Sequence, residues 1–238
     1  MWHRWNSAVY EMLKLLVQAA SILVSILAAF AIDAWWTDSQ EQEQLLGQLE
    51  TLEVELVQVK RDLSYERKKL EGIRSAIASL LEKTMPEPEE TPFEQLGRLL
   101  DLSFRHGTIE LRSGAVEAMI ASGNIGEIDS AELMALLAGW PSRIAELRNQ
   151  SRLLENDRET LLEYLHPRIP TLEIGHNTGQ MEHYPRSSFS GDAKRALSQM
   201  EFEGRLGNRA MLAEDSMEII EGLTKESERM ISLIQEER

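Results

Sequence analysis

Three histidines and two glutamates fall within eighteen residues, His166, Glu173, His176, Glu182 and His183, in the stretch "HPRIPTLEIGHNTGQMEHYPRSSFSGD". Imidazoles and carboxylates are zinc ligands, so this is the one stretch whose residue types could hold a metal. No pair has the i, i+4 spacing by which H-E-x-x-H places two ligands on one helix face, and we expect a structural loop with no bound metal. The chain has no cysteine, which excludes disulfides, thiolate zinc sites and cysteine nucleophiles. Neither G-x-S-x-G nor S-x-x-K occurs, so no serine has the setting of a nucleophile. Ser122-Gly123-Asn124-Ile125-Gly126 is glycine-rich, but no Gly-Lys-Ser/Thr follows it and no strand precedes it, which argues against a phosphate cradle. Glutamates are plentiful on helical surfaces, where carboxylate pairs arise without being positioned. We therefore expect no enzyme: no catalytic, cofactor-binding or metal residue, and no cofactor.

The elements that would carry such groups begin with a change of solvent. Between Lys14 and Asp33 lie eighteen uncharged residues, "LLVQAASILVSILAAFAI". As a helix they would span ~27 Å, close to the hydrocarbon thickness of a bilayer. Trp2, Trp5 and Tyr10 flank one end, and Asp33, Trp35 and Trp36 the other, where amphipathic rings favour the headgroup zone. The expectation is a transmembrane helix over 15–36 with interfacial tryptophans. Ala29-Phe30-Ala31 is also an A-x-A match, so a cleaved signal peptide and a secreted helical protein are the competing reading. Arg4 and Lys14 precede the span and no Lys or Arg follows until Lys60, which puts the N-terminus (1–14) in the cytoplasm and the body outside it. Within the span Gln18, Ser21, Ser25 and Ala29 share one face; small residues let helices approach closely, so this face is expected to pack on another transmembrane helix.

Charge is distributed unevenly. Residues 1–32 carry Arg4, Lys14 and Glu11, net +1, so the remainder carries −16 of the total −15. A body this acidic repels nucleic acid and anionic headgroups.

Beyond the span Leu45, Leu49, Leu52, Leu56, Val59, Leu63, Glu66, Leu70, Ile73, Ile77 and Leu80 alternate spacings of four and three, the pattern of a coiled-coil-like helix over 37–84. Glu66 interrupts the seam, and Gly47 and Gly72 each cost about 1 kcal/mol against alanine. "TMPEPEETPF" ends that helix in a linker, 85–92, and Thr91-Pro92-Phe93-Glu94 starts the next. A helical bundle is expected over 93–165, with Gly123 as a left-handed cap, Asp129 and Glu132 opening a short helix, and Pro141 separating it from a further one that buries Ile144, Leu147, Leu154, Leu161 and Leu165. An irregular loop is expected at 166–191, then C-terminal helices over 192–238 that bury Leu206, Ala210, Ala213, Met217, Ile220, Ile231 and Ile234. The fold class is all-α: a transmembrane helix running into a long helix, packed with antiparallel helices in a bundle.

The order of "AIDAWW" at the end of an apolar span, the Leu/Glu-rich "EQLLGQLETLEVELVQVKRDL", a central "MIASGNIGEIDSAELMALL" and a terminal "ISLIQEER" resembles a widespread group of uncharacterised bacterial single-pass membrane proteins with small helical ectodomains. The resemblance implies an uncleaved anchor and an all-helical body, and brings no activity with it; with the topology argued from the basic residues, the expected location is the bacterial inner membrane with the body periplasmic. The expected role is a membrane-anchored interaction or scaffold protein, an accessory subunit or self-associating component, with membrane and a protein partner or second copy as its contacts. A ligand-sensing extracytoplasmic domain is the alternative, weakened because a cytoplasmic part of about a dozen residues leaves no room for an output domain on the topology argued from the basic residues.

Overall fold

A computed structural model describes the backbone of residues 2–84, 92–105, 109–189 and 191–238, with side chains from Ser21 onward. Among the described residues there are seven α-helices and no strand: α1 (Trp2–Thr84), α2 (Phe93–Phe104), α3 (Gly114–Ser122), α4 (Ala131–Leu165), α5 (Thr171–Asn177), α6 (Ala193–Leu197) and α7 (Met200–Glu237), with a short 3-10 turn at Asn124–Glu127. The fold is all-α, and α1 is one long helix, as the absence of a breaker between Ile32 and Lys83 predicts. The chain divides into two compact units, Met1–Glu50 and Thr51–Arg238. In the first, every side chain from Ser21 to Gln44 is exposed.

The second unit is a bundle whose register can be read from its polar pairs. On α1 and α7, Glu53 accepts from Gln235 (2.6 Å) and Arg238 (2.9 Å), Lys60 pairs with Glu228 (2.9 Å) and Arg74 with Glu214 (3.4 Å). Numbers rise on one helix as they fall on the other, so the two are antiparallel. On α4 and α7, Glu132 meets Arg229 (2.5 Å), Arg143 meets Glu226 (3.0 Å) and Thr160 O accepts from Arg205 (2.8 Å), again antiparallel. It follows that α1 and α4 run parallel within the bundle. Most of these pairs are exposed and set register more than stability, since such pairs contribute about 0–1 kcal/mol each. Stability comes from the seams. In this unit Leu52, Leu56, Val59, Leu63, Leu70, Ile73, Ile77 and Leu80 are fully buried on α1, and Glu66 reaches the edge of the seam to pair with Lys69 at 2.8 Å; in the first unit Leu49 is buried and Leu45 half-buried.

Four expectations change. The proline at 141 does not separate two helices: α4 continues through it. An internal proline forfeits a hydrogen bond and costs about 3 kcal/mol. Leu137, Trp140 and Ile144 are all buried around it on one face, and together that packing outweighs the break. The cap of α4 is Ser130, whose hydroxyl accepts from Leu133 N (3.2 Å), rather than Asp129; Glu132 turns to Arg229 instead. The 166–191 stretch is not wholly irregular, because α5 forms inside it and packs on α2. A side-chain carbon at the buried Gly97 would lie 3.3 Å from Asn177 Nδ2 and 3.8 Å from Ile174 Cα, so the absence of one lets α5 approach closely. The α2 helix starts at Phe93 with Pro92 flanking it, one residue later than expected, while Thr91 and the rest of the linker up to it lie outside the described residues.

Gly123 does cap α3 in the left-handed region, at φ 81°. Substitution by alanine is expected to have opposite signs at two glycines. Gly123→Ala should destabilise by about 1 kcal/mol because a Cβ is strained at that φ. Gly72→Ala, in the interior of α1 with open space around the added carbon, should stabilise by up to about 1 kcal/mol. Urea unfolding midpoints of the two variants check both signs.

Candidate functional site

From Ser21 to Gln44 the apolar residues of α1 lie on every side of the helix and none is covered. Ile22, Leu23, Val24, Ile26, Leu27, Phe30 and Ile32 are exposed all round, and Trp35 and Trp36 are 65% and 58% exposed. A helix on the surface of a water-soluble body hides one face; this one hides none from Ser21 to Gln44. It is the one helix, among the described residues, that is long and apolar enough to cross a membrane. Asp33 is exposed and its carbonyl accepts from Thr37 Oγ1 (3.0 Å). Ser25 Oγ donates to Ser21 O (2.8 Å), so that hydroxyl is satisfied inside its own helix and keeps its acceptor lone pairs for a neighbour. Ala29 is exposed beside them. Trp2, Trp5 and Gln18 lie on α1, but their side chains are outside the described residues.

In the 166–191 stretch the ligand-type residues are spread out and partly engaged. Glu173 accepts from Arg186 Nη1 (2.9 Å) and from Ser187 N (2.7 Å), and His176 Nε2 is 3.3 Å from Pro185 O. His166, Glu182 and His183 are exposed. Among the described residues no three of His, Asp and Glu converge. At "SGNIG", Ser122 Oγ donates to Met119 O (3.1 Å) and the backbone turns through the 3-10 segment.

A cleft of about 490 Å³ lies where α4 ends and α7 begins, with Tyr164, Arg168, Asp192, Arg195, Gln199 and Glu201 in its wall. The Tyr164 hydroxyl donates to Ala196 O (2.7 Å) and its ring stacks on Phe202, centroids 6.1 Å apart. Arg168 lies 4.0 Å over that ring and Arg205 5.4 Å from it, both within cation–π range. Burial pushes the Tyr164 phenol above its ordinary pKa, with Arg168 and Arg205 pulling the other way.

A second polar centre is buried, and it escaped the sequence reading. Arg209 is 0% exposed; its Nε donates to Ser103 O (2.5 Å) and its Nη1 to Leu154 O (3.0 Å) and Asp157 Oδ2 (3.3 Å). Asn208 Nδ2 donates to the other Asp157 oxygen at 2.6 Å. This ties the last turn of α2 to α4 and α7. Arg209 Nη2 is buried with no hydrogen-bond partner among the described residues. Desolvation lowers the Arg209 pKa, opposed by Asp157. The signal lay in the spacing: Leu206, Arg209, Ala213 and Ser216 put a guanidinium where the seam of α7 calls for an apolar residue.

Two helix starts are completed from other helices. Both Glu55 oxygens accept from Ala115 N (3.1 Å each) at the start of α3, and Glu237 Oε1 accepts from Asp129 N (2.5 Å) and Ser130 N (3.3 Å) at the start of α4. A carboxylate at these points satisfies otherwise orphaned N–H groups and meets the positive end of the helix dipole. Glu55→Ala is expected to cost about 1 kcal/mol, as losing a cap does, and Glu55→Gln less, because an amide oxygen still accepts; unfolding curves of the pair separate the two.

These arrangements bind helices to one another and leave one apolar helical segment uncovered. No protein-family model, no curated protein and no solved structure matches this chain.

Proposed function

We propose that the protein is a single-pass component of a bacterial inner membrane, N-terminus in the cytoplasm, whose helical body stands on the extracytoplasmic side and works by contact, as an accessory subunit or a self-associating scaffold without catalysis of its own. The observation that carries this reading is the fully uncovered apolar stretch of α1 ending in Asp33, Trp35 and Trp36: in water it exposes a hydrocarbon surface that lipid would cover. Trp2 and Trp5 supply the other interfacial belt. The direction follows from Arg4 and Lys14 before the span and the lack of Lys or Arg between Asp33 and Val59. Gln18, Ser21, Ser25 and Ala29 form the face toward a neighbouring transmembrane helix. The acidic body favours a protein partner over nucleic acid or anionic lipid.

The test is to extract the full chain from its native membranes in mild detergent and determine the mass of the complex and what copurifies. A second protein at fixed ratio, or a defined homo-oligomer, supports the reading, and Ser25→Leu should then lower its yield. A monomer with no partner overturns the contact role. Recovery in the soluble fraction, shortened by about thirty residues, overturns the anchor in favour of signal cleavage after Ala31. Reporter fusions to the C-terminus that are active in the cytoplasm overturn the orientation.

A further inference from the structure

The cleft beside Tyr164 has more donors than acceptors. Of the two acids in its wall, Asp192 uses Oδ1 to accept from Arg195 N (2.9 Å), and Glu201 Oε1 takes both Nε and Nη2 of Arg205 (3.3 and 2.9 Å). Gln199 spends its amide N–H on Arg195 O (2.9 Å). The guanidinium of Arg195 makes no hydrogen bond or ion pair among the described residues, and Arg168 is held from behind, with Nη1 on Tyr164 O (2.6 Å) and its plane on the Tyr164 ring, leaving Nη2 4.0 Å from Glu201. One arginine is thus fixed in place by the wall and the other is free to close on a ligand. The surrounding charge fits. From Tyr164 to Glu201 Arg168, Arg186, Lys194 and Arg195 balance Glu173, Glu182, Asp192 and Glu201, so this stretch is neutral in a chain of net charge −15 and repels an anion less than the chain's average does. The volume, about 490 Å³, falls in the range of small-molecule sites.

We propose that this cleft binds a small molecule through a carboxylate or phosphate group, with Arg168 and Arg195 as its charged donors and the buried Tyr164 ring as the platform that holds Arg168. The inference stands apart from the proposed membrane partner, since it concerns only the helical body.

The experiment titrates the full chain, in uncharged detergent micelles, with inorganic phosphate and with citrate against sodium chloride of equal ionic strength, reading binding by calorimetry and the unfolding midpoint. A further arm adds a short-chain phosphatidylglycerol to the micelles. Saturable binding of phosphate or citrate is expected. Arg195→Gln should weaken it about tenfold or more, the worth of one charge-assisted hydrogen bond, and Lys194→Gln, next in sequence but outside the cleft wall, should leave it unchanged. Among the described residues Arg195 has no side-chain partner to lose, so its variant reports on binding and not on folding; Arg168→Gln should weaken binding as well. Arg195-dependent binding of phosphatidylglycerol alone assigns the anion to a lipid headgroup. No saturable binding in any arm, or binding as tight in Arg195→Gln as in the unaltered chain, overturns the proposal.

Discussion

Arg209→Ala is expected to destabilise the bundle by about 3–5 kcal/mol, the cost of breaking a buried ion pair from one side. The guanidinium is 0% exposed, and its removal would leave Asp157, 8% exposed, with Asn208 as its remaining partner, and would release Ser103 O and Leu154 O into an apolar interior. The effect should far exceed that of Arg229→Ala, whose partner Glu132 is exposed and can turn to water. The charge itself is not what stabilises. One guanidinium nitrogen is already buried unpaired, so the ion pair offsets its desolvation incompletely. Arg209→Met combined with Asp157→Leu should therefore recover most of the loss. Urea unfolding of the full chain in mild detergent, followed by far-ultraviolet circular dichroism, measures all three; a loss below about 1 kcal/mol for Arg209→Ala, within the range of an exposed pair, would contradict this account.

Val24→Arg with Leu27→Arg should remove the protein from the membrane while leaving the body folded. Each arginine near the centre of a span costs about 2.5–3.5 kcal/mol on the insertion scale. Two together exceed what an eighteen-residue stretch with two serines and a glutamine can spare. Both positions are exposed, at 64% and 59%, so no tertiary packing opposes the change. Carbonate-washed membranes should retain the unaltered chain and lose the double variant to the supernatant. Ser39→Arg with Gln42→Arg, beyond the tryptophans, should change nothing. Equal retention of both double variants would exclude the apolar stretch as the membrane-holding element.

How much was legible before the structure depended on whether the signal was periodic. The α1 seam repeats every three and four residues because a straight helix has no other way to keep one face dry, and nine of its eleven positions are buried. Gly123 was legible because few other residues accept the conformation it adopts. Pro141 misled for a physical reason: a local rule of about 3 kcal/mol was set against burial of Leu137, Trp140 and Ile144, which spacing alone does not weigh. The α5 helix is only two turns and takes its stability from α2, so its own sequence carries little period. The apolar stretch of α1 was legible as a helix long and apolar enough to cross a membrane, because composition and length alone decide that. The Arg168 and Arg195 cleft was invisible, because the end of α4, α6 and the start of α7 come together only in space.

The cross-helix caps bear on the order of assembly. The partner of Ala115 N lies 60 residues earlier in the chain, whereas the partner of Ser130 N lies 107 residues later. As the chain emerges from its N-terminal side, α3 can find its cap as soon as it is made, but the first turn of α4 stays incomplete until Glu237 arrives. Contacts of such separation must first overcome the entropy of closing the intervening chain, which makes them late and slow. Closure of α4 and α7 should accordingly be the rate-limiting step of folding. A chain halted within α7 would hold α1 and α3 joined, with the apolar faces of α4 open to any chaperone it meets.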